Sequence, residues 1–86
     1  MKSIKQTLEN KNGLHARPAA LFVNEAQKYE SEITIDFEQK SANAKSLLSI
    51  LGLGVGYNNI ITIKADGPDE QLALNNLVKL LESNIE

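Results

Sequence analysis

The chain has 86 residues, enough for one domain with a modest core and too few for a second. Nine Lys and Arg against eleven Asp and Glu leave a net charge of −2 with no basic cluster, which argues against a nucleic-acid footprint. There is no cysteine, so disulfides and thiolate metal sites are excluded.

Lys2 to Leu8 reads as a strand with Ile4 and Leu8 on one face, and the cluster Asn10, Lys11, Asn12, Gly13 breaks it into a turn. The same N-terminal stretch has lysines with no apolar run behind them, so no signal peptide is expected and a cytoplasmic protein is the default. Ala19, Phe22, Val23, Ala26 and Tyr29 then recur at three- and four-residue steps, predicting an amphipathic helix from about Ala16 to Lys28. Pro18 limits where that helix can begin, because proline lacks an N–H and is tolerated only in the first turn. His15 therefore falls at or near the N-cap.

Ile33, Ile35 and Phe37 alternate with Thr34 and Asp36, and Ala42 and Ala44 repeat the period of two after a polar break at Glu38 to Lys40. Two antiparallel strands joined by a tight turn are expected, although the turn lacks a glycine. Ser46 to Ile63 carries no charged residue. Its leucines and Ile50 predict a helix of one or two turns, and Gly52, Gly54 and Gly56 a flexible exit that also rules out a membrane span. A strand follows with Ile61, Ile63 and Ala65 facing inward. Asp66, Gly67 and Pro68 open a last helix, with Asp69 and Glu70 in its first turn and Leu74, Leu77, Val78 and Leu81 as its apolar stripe. The order is βαββαβα. The fold class is α+β, an open-faced sandwich with an antiparallel sheet covered by helices on one face.

Chemistry concentrates in GLHARPAA, Gly13 to Ala20, which holds the only histidine, His15, and the only arginine, Arg17. Free amides and peptide dipoles at a helix start favour negative charge. They disfavour an imidazolium, as does Arg17, so His15 is expected neutral and nucleophilic at pH 7. A phosphoryl group received there would find the same amides and the Arg17 guanidinium as ligands. Spacing alone leaves open a solvated N-capping histidine beside an incidental arginine. A metal centre is disfavoured, since one His without Cys would depend on scattered carboxylates.

Ser46 precedes the short helix and reads first as an N-cap; phosphorylated, it would repel an acidic partner docking beside it. Leu47, Leu48 and Leu51, with Ile50 and Leu53, make that helix apolar nearly all round, so part of its surface should remain exposed as a docking patch. Acidic partners would suit the lysines and arginine nearby, Arg17, Lys40 and Lys45.

GLHARPAA, then NAKSLLSILGLGV and the ADGPDEQLAL helix start, together resemble HPr, the histidine-containing phosphocarrier family of the phosphoenolpyruvate-dependent sugar phosphotransferase system, over essentially the whole chain. The resemblance implies one HPr-like domain over residues 1–86, with a four-stranded antiparallel sheet and three helices on one face. It implies that His15 accepts a phosphoryl group on Nδ1 from phosphorylated enzyme I and passes it to IIA components of sugar transporters. Arg17 would orient that group, and Leu47, Leu48 and Leu51 would form the docking patch. Ser46 matches the serine that an HPr kinase/phosphorylase modifies in many Gram-positive relatives, slowing transfer and promoting binding to the catabolite control regulator. Leucines in the patch and Ala20 depart from the Gram-positive pattern. His15 itself argues against a regulatory paralogue that lacks the histidine. A monomer without bound cofactor is expected; the competing reading is a binding module acting mainly through phospho-Ser46.

Overall fold

The computed structural model describes residues 1–83. Its elements are β1 (Lys2–Thr7), α1 (Ala16–Ala26), β2 (Glu32–Phe37), β3 (Lys40–Asn43), α2 (Leu47–Gly52), β4 (Ile60–Asp66) and α3 (Glu70–Glu82), in the order read from the sequence. All strand pairs are antiparallel, and the sheet runs β1-β4-β2-β3. β4 thus enters between two strands from the first half of the chain.

Register follows from the alternation of side chains. Ile63 lies opposite Ile4 on one side and Ile35 on the other, and Ile35 lies opposite Ala42, so one row of apolar residues crosses all four strands on the helix-covered face. A slip by one residue would move that row to the other face. Ile33, Ile35, Ile61, Ile63 and Ala65 are buried there beneath Phe22, Leu74 and Leu77 of the helices. The uncovered face is polar, and across it the Lys64 ammonium pairs with Asp36 at 2.5 Å while the Ser41 hydroxyl donates to Asp36 at 2.5 Å.

Several expectations shift in detail. Leu8 is fully buried but lies past the end of β1, and Ile4, on the helix-facing side as expected, stays 39% exposed because β1 is an edge strand. The first helix stops at Ala26 and not at Lys28. Lys28 and Tyr29 already donate to acceptors three residues back, at 3.1 and 3.3 Å, the mark of an unwinding end. The hairpin loop is Glu38 and Gln39, since Phe37 pairs with Lys40, and Glu38 takes the positive φ (57°) that two-residue hairpin loops demand.

Asp69 precedes the first turn of α3 instead of lying in it. Its carboxylate accepts from the amides of Glu30 (2.9 Å) and Ser31 (3.0 Å) and from the Ser31 hydroxyl (2.5 Å), tying the α1–β2 loop to the start of α3. Those donors, the Ser31 hydroxyl foremost, hold its carboxyl below the usual range. Gly67 makes this approach possible, because a Cβ there would lie 2.6 Å from Ser31 Cα.

Candidate functional site

His15 is the N-cap of α1, in extended conformation (φ −122°, ψ 157°), and its imidazole makes no capping hydrogen bond. The chain enters the helix through Ala16, whose φ of 54° lies in the left-handed region. An L residue there costs roughly 1–2 kcal/mol, so surrounding contacts must hold the turn in place. His15, Ala16 and Arg17 are exposed, while Pro18 and Ala19, one turn deeper, are buried. Among the described residues neither the imidazole nor the Arg17 guanidinium has a side-chain hydrogen bond or ion pair. One histidine and one arginine, both reachable by a partner, thus flank a helix start whose first amides have no intrahelical acceptor.

The segment before His15 is fixed by backbone contacts. Gly13 donates to the Asn10 carbonyl (3.1 Å), Leu14 to Val55 (3.0 Å) and His15 to Asn12 (3.1 Å). Gly13 (φ 55°) presses so closely on the loop after α2 that a Cβ would lie 2.4 Å from the Val55 carbonyl oxygen, and Leu14 beside it is fully buried. That loop is braced where a flexible exit was expected. The Asn59 side chain accepts from Gly56 N at 2.7 Å, and Leu8 exchanges backbone bonds with Asn58 and Asn59 at 2.6 and 2.8 Å. Paired amides there remove the looseness that composition alone suggests.

Ser46 is the N-cap of α2, its hydroxyl oxygen accepting from Ser49 N at 3.4 Å. The apolar residues of this helix divide between two roles. Ile50 and Leu53 are buried in the core and Leu51 packs partly against it, whereas Leu47 and Leu48 are 41% and 82% exposed. Lys45 turns away from this surface, its ammonium donating to the Tyr29 carbonyl at 2.6 Å. The ammonium is thus held against the loop after α1 while keeping its charge.

No group of three or more His, Asp or Glu able to hold a metal occurs among the described residues, and no helix among them is long and apolar enough to cross a membrane. A depression of about 420 Å³ lies between β2 and β3, lined by Thr34, Ser41, Asn43 and Lys45 among others, and does not include His15 or Arg17. His15 and Arg17 are exposed, so a macromolecular partner can reach them. Sequence reasoning missed Asn10, which is 8% exposed and donates from its side-chain amide to the Gly13 carbonyl at 2.7 Å; only its place in a turn cluster hinted at it.

The model of one protein family, the PTS HPr component phosphorylation site, matches residues 2–83. The chain belongs to the HPr family. It is 56% identical over 70 residues to the phosphocarrier protein HPr of Buchnera aphidicola subsp. Baizongia pistaciae, covering 81% of this chain and 82% of that one. It is 46% identical over 72 residues to the HPr-like protein Crh of Halalkalibacterium halodurans, covering 84% and 86%. The crystal structure of HPr-C-His from Thermoanaerobacter tengcongensis superposes with a TM-score of 0.95 at 47% identity, covering 96% of this chain and 93% of that one. The family and the sheet-and-helix arrangement read from the sequence therefore hold: this is an HPr phosphocarrier of the phosphotransferase system.

Proposed function

We propose that the chain, residues 1–86, acts as one cytoplasmic phosphocarrier domain that receives a phosphoryl group on His15 from phosphorylated enzyme I and delivers it to IIA components of sugar transporters. The observation that carries this reading is the exposed, unengaged imidazole at the start of α1 with the exposed Arg17 two residues on. The Nδ1 lone pair of the neutral ring attacks phosphorus as the bond from phosphorus to the donor breaks, and the ring proton stays on Nε2. Onward transfer reverses these roles with the acceptor as nucleophile. Arg17 offers a charge-assisted donor fork to the transferred oxygens. No cofactor enters the carrier's own step.

Leu47 and Leu48, with Leu51 partly buried beside them, supply an apolar surface for transient partners. The carrier is taken to act as a monomer. Ser46 acts as a brake: a phosphate on its hydroxyl places negative charge beside that surface, where an HPr kinase/phosphorylase could write it and the catabolite control regulator read it.

The test is incubation with phosphoenolpyruvate, Mg²⁺ and enzyme I. The wild type and Ser46→Ala should take up acid-labile phosphate and His15→Ala should not. No uptake by wild type, where an established carrier is labelled, would sink the reading. A second reading is a module working mainly through phospho-Ser46; the match to a protein named HPr-like rather than phosphocarrier keeps it in view. Under it, an ATP-dependent kinase would label Ser46 while His15 remained inert.

A further inference from the structure

We infer that Asn10 is a positioning residue for phosphoryl transfer, setting the orientation of the peptide that delivers His15 to its place; this rests on His15 as the acceptor. Asn10 grips Gly13 from both sides. Its backbone carbonyl accepts from Gly13 N at 3.1 Å and its side-chain amide donates to Gly13 O at 2.7 Å. A carbonyl can only accept, so the amide nitrogen must be the atom facing Gly13.

The Gly13 carbonyl and the Leu14 N–H belong to one planar peptide unit and point in opposite directions. Asn10 holds the first and the Val55 carbonyl, at 3.0 Å, holds the second. The plane is pinned at both ends, and His15 begins one Cα later. From there the chain passes through extended His15, whose own amide is held by the Asn12 carbonyl at 3.1 Å, into Ala16 at a positive φ, so a rotation of the Gly13–Leu14 plane bears on the imidazole against that one further bond.

A second observation separates this role from simple stabilisation. Asn10 Oδ1 is buried and has no hydrogen-bond partner among the described residues, so the side chain satisfies one polar group at the cost of another. Asn10→Ala removes that unpaired oxygen and leaves the Gly13 carbonyl unpaired instead, so the two effects on stability oppose each other. What is lost is one of the two pins on the plane, so its orientation then rests on the Leu14–Val55 bond and on the backbone bond from Gly13 to residue 10.

The test compares wild type, Asn10→Ala and Asn10→Asp, the last of similar size but without the donor when ionised. Transfer from phosphorylated enzyme I is measured over a range of carrier concentrations, the melting temperature is recorded, and the Leu14 amide and His15 ring are followed by NMR. The rate at saturation should fall roughly three- to tenfold, the scale of one lost hydrogen bond. KM should stay within about twofold, because the leucine surface is untouched. The His15 ring and Leu14 amide signals should move in both variants, while the melting temperature changes little in Asn10→Ala and falls in Asn10→Asp, which buries an unpaired charge. Unchanged saturating rates with unmoved His15 signals would overturn the assignment, and so would failure of Asn10→Ala to fold, which would make Asn10 a folding residue. If wild type takes up no phosphate, the phosphocarrier reading fails, and the ring signals alone then decide whether Asn10 orients His15.

Discussion

Leu48 and Ile50 lie two residues apart on α2, one 82% exposed and the other fully buried, and this contrast lets docking be separated from folding. Truncating leucine to alanine removes about three carbons, worth roughly 2.4 kcal/mol when fully buried. With about a fifth of Leu48 covered by the fold, Leu48→Ala should cost the domain about 0.5 kcal/mol or less. A partner that buries half to all of the remaining surface would lose roughly 1–2 kcal/mol, raising Kd about 5- to 30-fold. Ile50→Ala should do the reverse, destabilising the domain by about 2–5 kcal/mol while its folded fraction binds near-normally. Urea denaturation gives the first quantity and titration of enzyme I by calorimetry or NMR the second. If Leu48→Ala binds enzyme I as tightly as wild type, the docking surface lies elsewhere. If it unfolds as readily as Ile50→Ala, the division of α2 into an inner and an outer face is wrong.

Other substitutions probe the supports of the site and the pH response of the fold. Gly13→Ala should destabilise by about 2–4 kcal/mol, from a clash with the Val55 carbonyl added to the cost of a positive φ; a urea midpoint indistinguishable from wild type would refute the close approach. The Lys64 ammonium first, then the Ser41 hydroxyl, holds the Asp36 carboxyl below the ordinary aspartate range, so its contribution to stability is present above that range and lost as pH falls through the lowered value. The stability difference between wild type and Asp36→Asn should therefore be constant near neutrality and shrink below about pH 4, as pH-dependent urea melts would reveal; a difference that persists into acid would contradict the ion pair. Ser46→Asp should accept phosphate from enzyme I more slowly than wild type, and equal initial rates would remove the proposed brake.

Elements whose apolar residues repeat with a clean period were legible in the sequence. Ile33, Ile35 and Phe37, or Phe22, Val23 and Ala26, announce their faces because each buries a row of side chains on one surface. GLHARPAA was legible because proline restricts the helix start to the residues around His15. Features that depend on residues far apart in the chain were not. Asp69 resembles a helix-start acid in the sequence, yet its partners are Glu30 and Ser31, 39 and 38 residues away. Nothing local to Lys45 shows that its ammonium reaches the Tyr29 carbonyl, 16 residues away in the loop after α1. Glycines 52, 54 and 56 suggest looseness, whereas the Gly56 amide is held by the Asn59 side chain and the Asn58 amide by the Leu8 carbonyl, the latter only once β4 is inserted beside β1. Beyond its place in a turn cluster Asn10 carried no signal, because a turn asparagine looks the same whether its amide faces water or Gly13.

The central claim is that the phosphoryl group resides on His15, and the single histidine of the chain makes it directly observable. With ¹⁵N-histidine incorporated, the imidazole gives one pair of ring nitrogen signals, read before and after incubation with phosphoenolpyruvate and enzyme I. Phosphorylation at Nδ1 predicts a large shift of that nitrogen with a smaller one at Nε2, reversed when a IIA component is added. Ring signals that stay unchanged while the protein gains phosphate would contradict it and place the modification on another residue.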